Sequence, residues 1–307
     1  MLRRMSAVQP ASIDELSDAL GERSYLADRG LATVLHVALK LGKPLLLEGE
    51  AGVGKTEVAK TLADVLGARL IRLQCYEGID VAHALYDWSY ARQMLYIRTL
   101  EAAGDASGAL KEVFGRDFLV RRPLLDAIEY DDVVPPVLLV DEIDRADGEF
   151  EAFLLELLSD FQITIPEIGT ISAKQRPVVI LTSNRTRELH DALKRRCIYH
   201  WIGHPSLERE IAIVRARVPG VPEALAAEAA AFVERLRTLD LAKAPGVAET
   251  LDWTQALVAL GQSELDAEVV DATLGSVLKY HEDLQRVRDH GLQQLLAEAR
   301  EAAARAG

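Results

Sequence analysis

The sequence predicts an α/β fold, a parallel sheet followed by a helical C-terminal domain, and three observations carry that prediction. Short apolar runs at 44–47, 137–140 and 178–181 each end in polar residues, as buried strands of a parallel sheet do. A glycine-rich loop joins the first run directly to the helical stretch Glu57–Leu66, the strand–loop–helix order of a doubly wound sheet. From His204-Pro205 onward the composition shifts to alanine-rich segments with helical spacing.

The elements follow in order. Ser12-Ile13-Asp14-Glu15 reads as a capping box opening a short helix. Leu31, Val34, Leu35, Ala38 and Leu41 lie at helical spacing on one face and lead into the strand Pro44–Leu47. After the helix at 55–66 comes a second strand, Arg69–Gln74. More than 60 residues separate it from the next buried strand, longer than one crossover requires, and Asp87–Arg98 and Phe118–Ile128 occupy this interval around the small, polar run Gly104–Gly108. Residues 161–172 alternate in character about Pro166-Glu167-Ile168 and predict a hairpin. Ser206 caps a helix bearing Leu207, Ile211, Val214 and Val218, which Pro219-Gly220 stops. Helices are expected at 223–239, 251–262 and 266–281, then one charged helix at 284–305.

The loop carries the chemistry. Gly49, Glu50, Ala51, Gly52, Val53, Gly54, Lys55 and Thr56 form the pattern G-x-x-x-x-G-K-T. Its glycines let the backbone turn N–H groups onto phosphates at a helix N-terminus, Lys55 supplies positive charge to the β- and γ-phosphates, and the Thr56 hydroxyl can enter a Mg²⁺ shell. A nucleoside triphosphate is therefore the expected ligand. At 137–144 the run Val-Leu-Leu-Val-Asp-Glu-Ile-Asp ends a strand in adjacent carboxylates. Alternation sends Asp141 and Glu142 to opposite sides, so Asp141 is read as the metal carboxylate and Glu142 as the base that polarises water. A small-molecule kinase needs no such base, which favours hydrolysis. Asn184, at the tip of the strand 178–184, is positioned to bond the γ-phosphate or orient the lytic water.

Bulk properties narrow the partners. With 307 residues the chain is long enough for two domains with real cores. A formal charge of −13 opposes binding to nucleic-acid phosphate. No stretch approaches the roughly 20 apolar residues of a membrane span. The start, Met-Leu-Arg-Arg-Met-Ser-Ala, has no apolar core behind its basic residues, so no secretory signal is expected. Two cysteines, Cys75 and Cys197, fit a reducing compartment, and a cytoplasmic location is expected. The seven histidines show no metal-ligand spacing, and Trp88, Trp201 and Trp253 read as core or interface residues.

The series Gly49–Thr56, Asp141-Glu142, Ser183-Asn184 and Arg195-Arg196 resembles an AAA+ ATPase, most closely the MoxR group. The phrases Val-Asp-Glu-Ile-Asp-Arg-Ala, Leu-Thr-Ser-Asn-Arg-Thr-Arg-Glu-Leu and Asp-Ala-Leu-Lys-Arg-Arg-Cys carry it. The last of these and Ala-Pro-Gly-Val-Ala-Glu-Thr-Leu-Asp-Trp at 244–253 are similar to members associated with carbon monoxide dehydrogenase and related molybdenum hydroxylases. The resemblance implies a P-loop NTPase core over 1–204, with an insertion at about 86–120 and a hairpin at about 161–172, and a helical lid over 205–307. It implies ATP and Mg²⁺ as cofactors and a ring of this chain with itself, a hexamer. Arg195 or Arg196 would then act as an arginine finger on the neighbour's γ-phosphate; the simpler reading of either is a surface ion pair. It also implies a partner with a von Willebrand factor A domain and a metalloenzyme client. One departure stands out: MoxR lids carry an arginine in a Ser-Pro-Arg-Ala stretch, and the matching stretch here, Ala244-Pro245-Gly246-Val247-Ala248-Glu249, has none. The rival expectation is a DNA-directed AAA+ motor, which the acidic composition disfavours.

Overall fold

The computed structural model describes residues 10–103 and 112–306. The start Met1–Ala7, where no secretory signal is expected, and the run Gly104–Gly108 lie outside the described residues. The chain divides into two compact units. One comprises Met1–Leu16, Arg29–Glu48 and Thr56–Trp201; the other comprises Ser17–Asp28, Gly49–Lys55 and Ile202–Gly307.

The first unit is built on strands β1 (Leu45–Glu48), β2 (Leu70–Gln74), β3 (Tyr86–Trp88), β4 (Leu119–Arg121), β5 (Val137–Asp141), β6 (Gln162–Ile165), β7 (Gly169–Ser172), β8 (Val178–Ser183) and β9 (Ile198–Trp201). Five of them form one sheet in the order β2-β5-β8-β1-β9, with every pairing parallel. β1 and β5 are buried along their whole length, which is why they read as unbroken apolar runs rather than alternating ones. β1 sits between β8 and β9 while its successor β2 lies at the far edge, so strand order reverses beside β1. Doubly wound sheets bind ligands at the carboxyl ends of strands at such a reversal. Leu138, Val140, Ile71, Leu73, Leu181, Leu154 and Leu157 belong to the apolar core of this unit.

Among the described residues, two antiparallel ribbons accompany the sheet. β6 and β7 pair Ile165 with Gly169 and Gln162 with Ser172 about the Pro166–Ile168 turn. In the interval after β2, β3 pairs with β4, and the helix Tyr90–Ala103 follows β3. Ser12 Oγ accepts the Glu15 N–H at 3.1 Å, and the Glu15 carboxylate reaches back to Ala11 N at 2.8 Å, closing the box one residue earlier than its usual register. The helix Arg29–Leu41 buries Leu31, Ala32, Leu35 and Ala38. Leu41, expected on that face, is 62 % exposed because the helix ends there and Gly42 turns the chain.

The second unit is helical from Leu207 onward. Ser206 Oγ caps the helix Leu207–Arg217, accepting Arg209 N–H. Further helices span Glu223–Arg237, Val247–Ala259, Ala267–Val277, His281–His290 and Leu292–Ala306. The single charged helix expected over 284–305 is two helices, because Gly291 takes φ 102° and breaks the run. Trp253 is fully buried against Phe232, ring centroids 5.4 Å apart, and its Nε1 donates to Thr273 Oγ1 at 2.9 Å.

Candidate active site

The loop that follows β1 is shaped by close approach. A Cβ on Gly49 would lie 2.2 Å from Ile202 O, and Gly52 takes φ 79°, a conformation that favours glycine. Lys55 is only 6 % exposed, and its Nζ donates to Gly49 O at 2.7 Å and to Glu50 O at 2.6 Å. The loop thus wraps the ammonium it would present to phosphates. The Glu50 carboxylate lies 3.3 Å from His204 Nε2, Val53 is buried, and Gly54 lies beside the Tyr25 ring.

Thr56, next in sequence to Lys55, opens the residues of the first unit that meet at the end of β5. Its Oγ1 donates to Asp141 Oδ1 at 3.0 Å. Thr182, on the neighbouring β8, donates to the same oxygen, and Arg72 Nε donates to Asp141 Oδ2 at 3.0 Å. Asp141 is 2 % exposed, so these donors orient an otherwise buried carboxylate. A hydroxyl and a carboxylate sharing one position form an all-oxygen donor set that suits Mg²⁺, and the loop suits a phosphate chain. Thr56 and Asp141 would hold the ion, which supplies charge neutralisation to a phosphoryl group.

Glu142 departs from the expected alternation. β5 ends at Asp141, and Glu142 takes φ 55°, ψ 50°. Its side chain is aimed by a left-handed turn rather than by strand pleat, at a cost of roughly 1–2 kcal/mol. The Glu142 N–H bonds Thr182 Oγ1 at 2.9 Å, which helps hold that turn. Asn184 Nδ2 donates to Glu142 Oε1 at 3.4 Å.

Three residues in this arrangement had no assigned role in the sequence. Asp144 is 3 % exposed and accepts Asn184 N–H at 3.2 Å, Thr186 N–H at 2.8 Å and Thr186 Oγ1 at 2.7 Å, tying the turn after β5 to the loop after β8. Its signal was available as the second acid of Asp141-Glu142-Ile143-Asp144. Thr182 lay in plain view before Asn184. Arg72 carried no local signal: only the register β2 to β5 brings its guanidinium to Asp141. Cys75, just beyond β2, has its thiol pushed up to about 12 by burial, then by the nearby carboxylates of Asp141, Asp144 and Glu142.

The two candidate fingers part company. Arg196 Nη1 donates to Leu155 O and Ser159 Oγ of the helix Gly148–Asp160. Arg195 is exposed and has no partner among the described residues. Neither joins the Thr56–Asp141–Glu142–Asn184 group within its own chain.

The sequence profile of the AAA domain (dynein-related subfamily) matches residues 44–197, which span β1 to the end of the helix Asp191–Arg196 and hold the whole motif series. The chain belongs to the dynein-related subfamily of AAA domains. As an AAA protein it is an ATPase with the P-loop fold of that superfamily, whose members typically assemble as rings. No curated protein matches the sequence significantly. Among solved structures, this AAA chain is similar to a Thermotoga maritima RuvB variant, at 18% identity over 87% of this chain and 73% of that one, with TM-score 0.49. It is also similar to a candidate ATPase from Cytophaga hutchinsonii, at 14% identity over 94% and 93%, with TM-score 0.48. Among the described residues, no helix is long and apolar enough to cross a membrane.

Proposed function

We propose that this AAA ATPase is a MoxR-type remodelling machine that works as a ring, a hexamer, in the cytoplasm. The observation that supports the ring is Arg195: a guanidinium with no partner among the described residues of its own chain, beside an Arg196 already engaged. Arg195 is the finger that completes the neighbour's site, and Arg196 fixes the end of the helix that presents it. In each site Gly49–Thr56 binds ATP, Thr56 and Asp141 hold Mg²⁺, Glu142 takes a proton from the lytic water, and Asn184 orients Glu142. The core over 1–204 and the lid over 205–307 convert nucleotide state into motion.

The client is a protein, a metalloenzyme whose active site is matured, recruited through a von Willebrand factor A domain partner. The resemblance of Asp191–Cys197 and Ala244–Trp253 to members associated with carbon monoxide dehydrogenase supports this client class, and the charge of −13 argues against DNA as the track. The test is the mass of the Glu142→Gln protein with ATP and Mg²⁺, together with hydrolysis by the wild type with and without duplex DNA. A hexameric mass and DNA-indifferent turnover are expected. A monomer, or strong stimulation by DNA, contradicts the reading.

A further inference from the structure

Gly49–Lys55 belong to the helical unit, and one corner of that unit grips them. Ala248 N–H donates to Gly52 O at 3.0 Å. The backbones of Gly246 and the loop meet so closely that a Cβ on Gly246 would lie 2.7 Å from Ala51 O and 2.9 Å from Gly52 Cα. Gly246 itself has φ −86°, ψ −177°, extended backbone that any residue adopts. Its own conformation therefore does not require glycine; the phosphate loop does.

Beneath this corner lies a buried, fully bonded cluster. Glu210 is 0 % exposed and receives both terminal nitrogens of Arg237, with Nη2 to Oε1 at 2.8 Å. Arg237 Nε donates to Pro245 O at 2.7 Å. Thr250 Oγ1 donates to Glu210 Oε1 at 2.7 Å and lies 3.2 Å from Gly246 O. Glu249 Oε2 accepts Gly246 N–H at 2.9 Å. An ion pair taken this far out of water adds little net stability but fixes geometry, and what it fixes here is the Pro245–Gly246 turn.

We propose that Gly246, with the Glu210–Arg237–Thr250 cluster under it, positions the phosphate loop: the corner is a backbone clamp on Gly52 that pre-sets the loop's N–H groups for the phosphate chain. The clamp occupies the stretch in which MoxR lids carry an arginine, and it acts on the loop instead of on the γ-phosphate. It rests on the reading of Gly49–Thr56 as the ATP loop. Pre-organisation of this kind acts on affinity, because the loop need not be ordered when ligand arrives.

The experiment is equilibrium binding of a fluorescent ATP analogue to the full chain, with a thermal melt of each variant. Gly246→Ala drives a methyl into Ala51 O and Gly52 and is expected to raise Kd at least about tenfold. Thr250→Val removes the hydroxyl that ties Glu210 to Gly246 and is expected to raise Kd about threefold. A purely structural role would lower the melting temperature and leave Kd at the wild-type value; that result overturns the clamp. Should Gly246→Ala not fold, Thr250→Val decides by the same criterion. Lys55→Ala separates the two readings. Lost binding there with unchanged Kd in the other variants removes the clamp alone, whereas retained binding removes the loop assignment on which it rests.

Discussion

Asn184 Nδ2 stands 3.4 Å from Glu142 Oε1, while Arg145 Nε lies 3.7 Å from the other carboxylate oxygen, Oε2. A carboxylate restrained at both ends, on a backbone already turned left-handed, presents one direction for accepting a proton. The amide also keeps a donor on Glu142 that a water molecule would otherwise have to supply.

If Glu142 is the base as proposed, Glu142→Gln is expected to bind ATP about as well as the wild type and to hydrolyse it at least ~10²-fold more slowly, because an amide cannot accept the water's proton. Asn184→Ala should slow hydrolysis by a smaller factor, about tenfold, with nucleotide affinity retained. Single-turnover hydrolysis alongside nucleotide binding measures both. Near-normal turnover by Glu142→Gln would move the base elsewhere.

Asp144→Ala should destabilise the protein by about 2–4 kcal/mol, since it strands two backbone N–H groups and a hydroxyl that the carboxylate now satisfies. Asp144→Asn keeps one carbonyl acceptor and should lose less. Hydrolysis should fall with Asp144→Ala as well, because the loop that carries Asn184 is released. Denaturant melts paired with turnover at a permissive temperature check this; an unchanged midpoint would show that the bracket contributes nothing.

Both thiols should be slow to react with an alkylating reagent at pH 8 until denaturant is added. Burial pushes Cys75 and Cys197 each up to about 12, with the Asp141, Asp144 and Glu142 carboxylates adding to the effect at Cys75, so neither forms appreciable thiolate at that pH. Rapid native labelling of Cys75 would mean that the end of β2 opens far more often than its packing implies.

The parts of the site written in consecutive residues were legible from the chain. Gly49 to Thr56 is a local pattern with its strand and helix on either side, and the apolar runs that became β1, β5 and β8 announced a sheet buried on both faces. Contacts made by register were not legible. Arg72 reaches Asp141 only because β2 pairs with β5, and Thr182 reaches it only because β5 pairs with β8. The turn at Glu142 was hidden for a different reason. A left-handed glutamate has no sequence signature, and strand alternation pointed to the wrong cause for its direction. Likewise Gly291 sits inside a helical periodicity that hides it, although its φ of 102° ends one helix before the next begins.

The shared site between neighbouring subunits is the central claim, and mixing two inactive variants tests it most directly. On the proposed mechanism, Arg195→Ala keeps an intact phosphate loop but lacks the finger, and Lys55→Ala keeps the finger but cannot hold ATP. Each alone should be nearly inactive, with Arg195→Ala still binding nucleotide and losing roughly 10³-fold in hydrolysis. Combined in rings whose mixed composition is established by mass, they should regain part of the wild-type rate, because an interface pairing the loop of one with Arg195 of the other holds one complete site. No recovery in such rings would contradict the account and leave an ATPase that does not share its site between subunits.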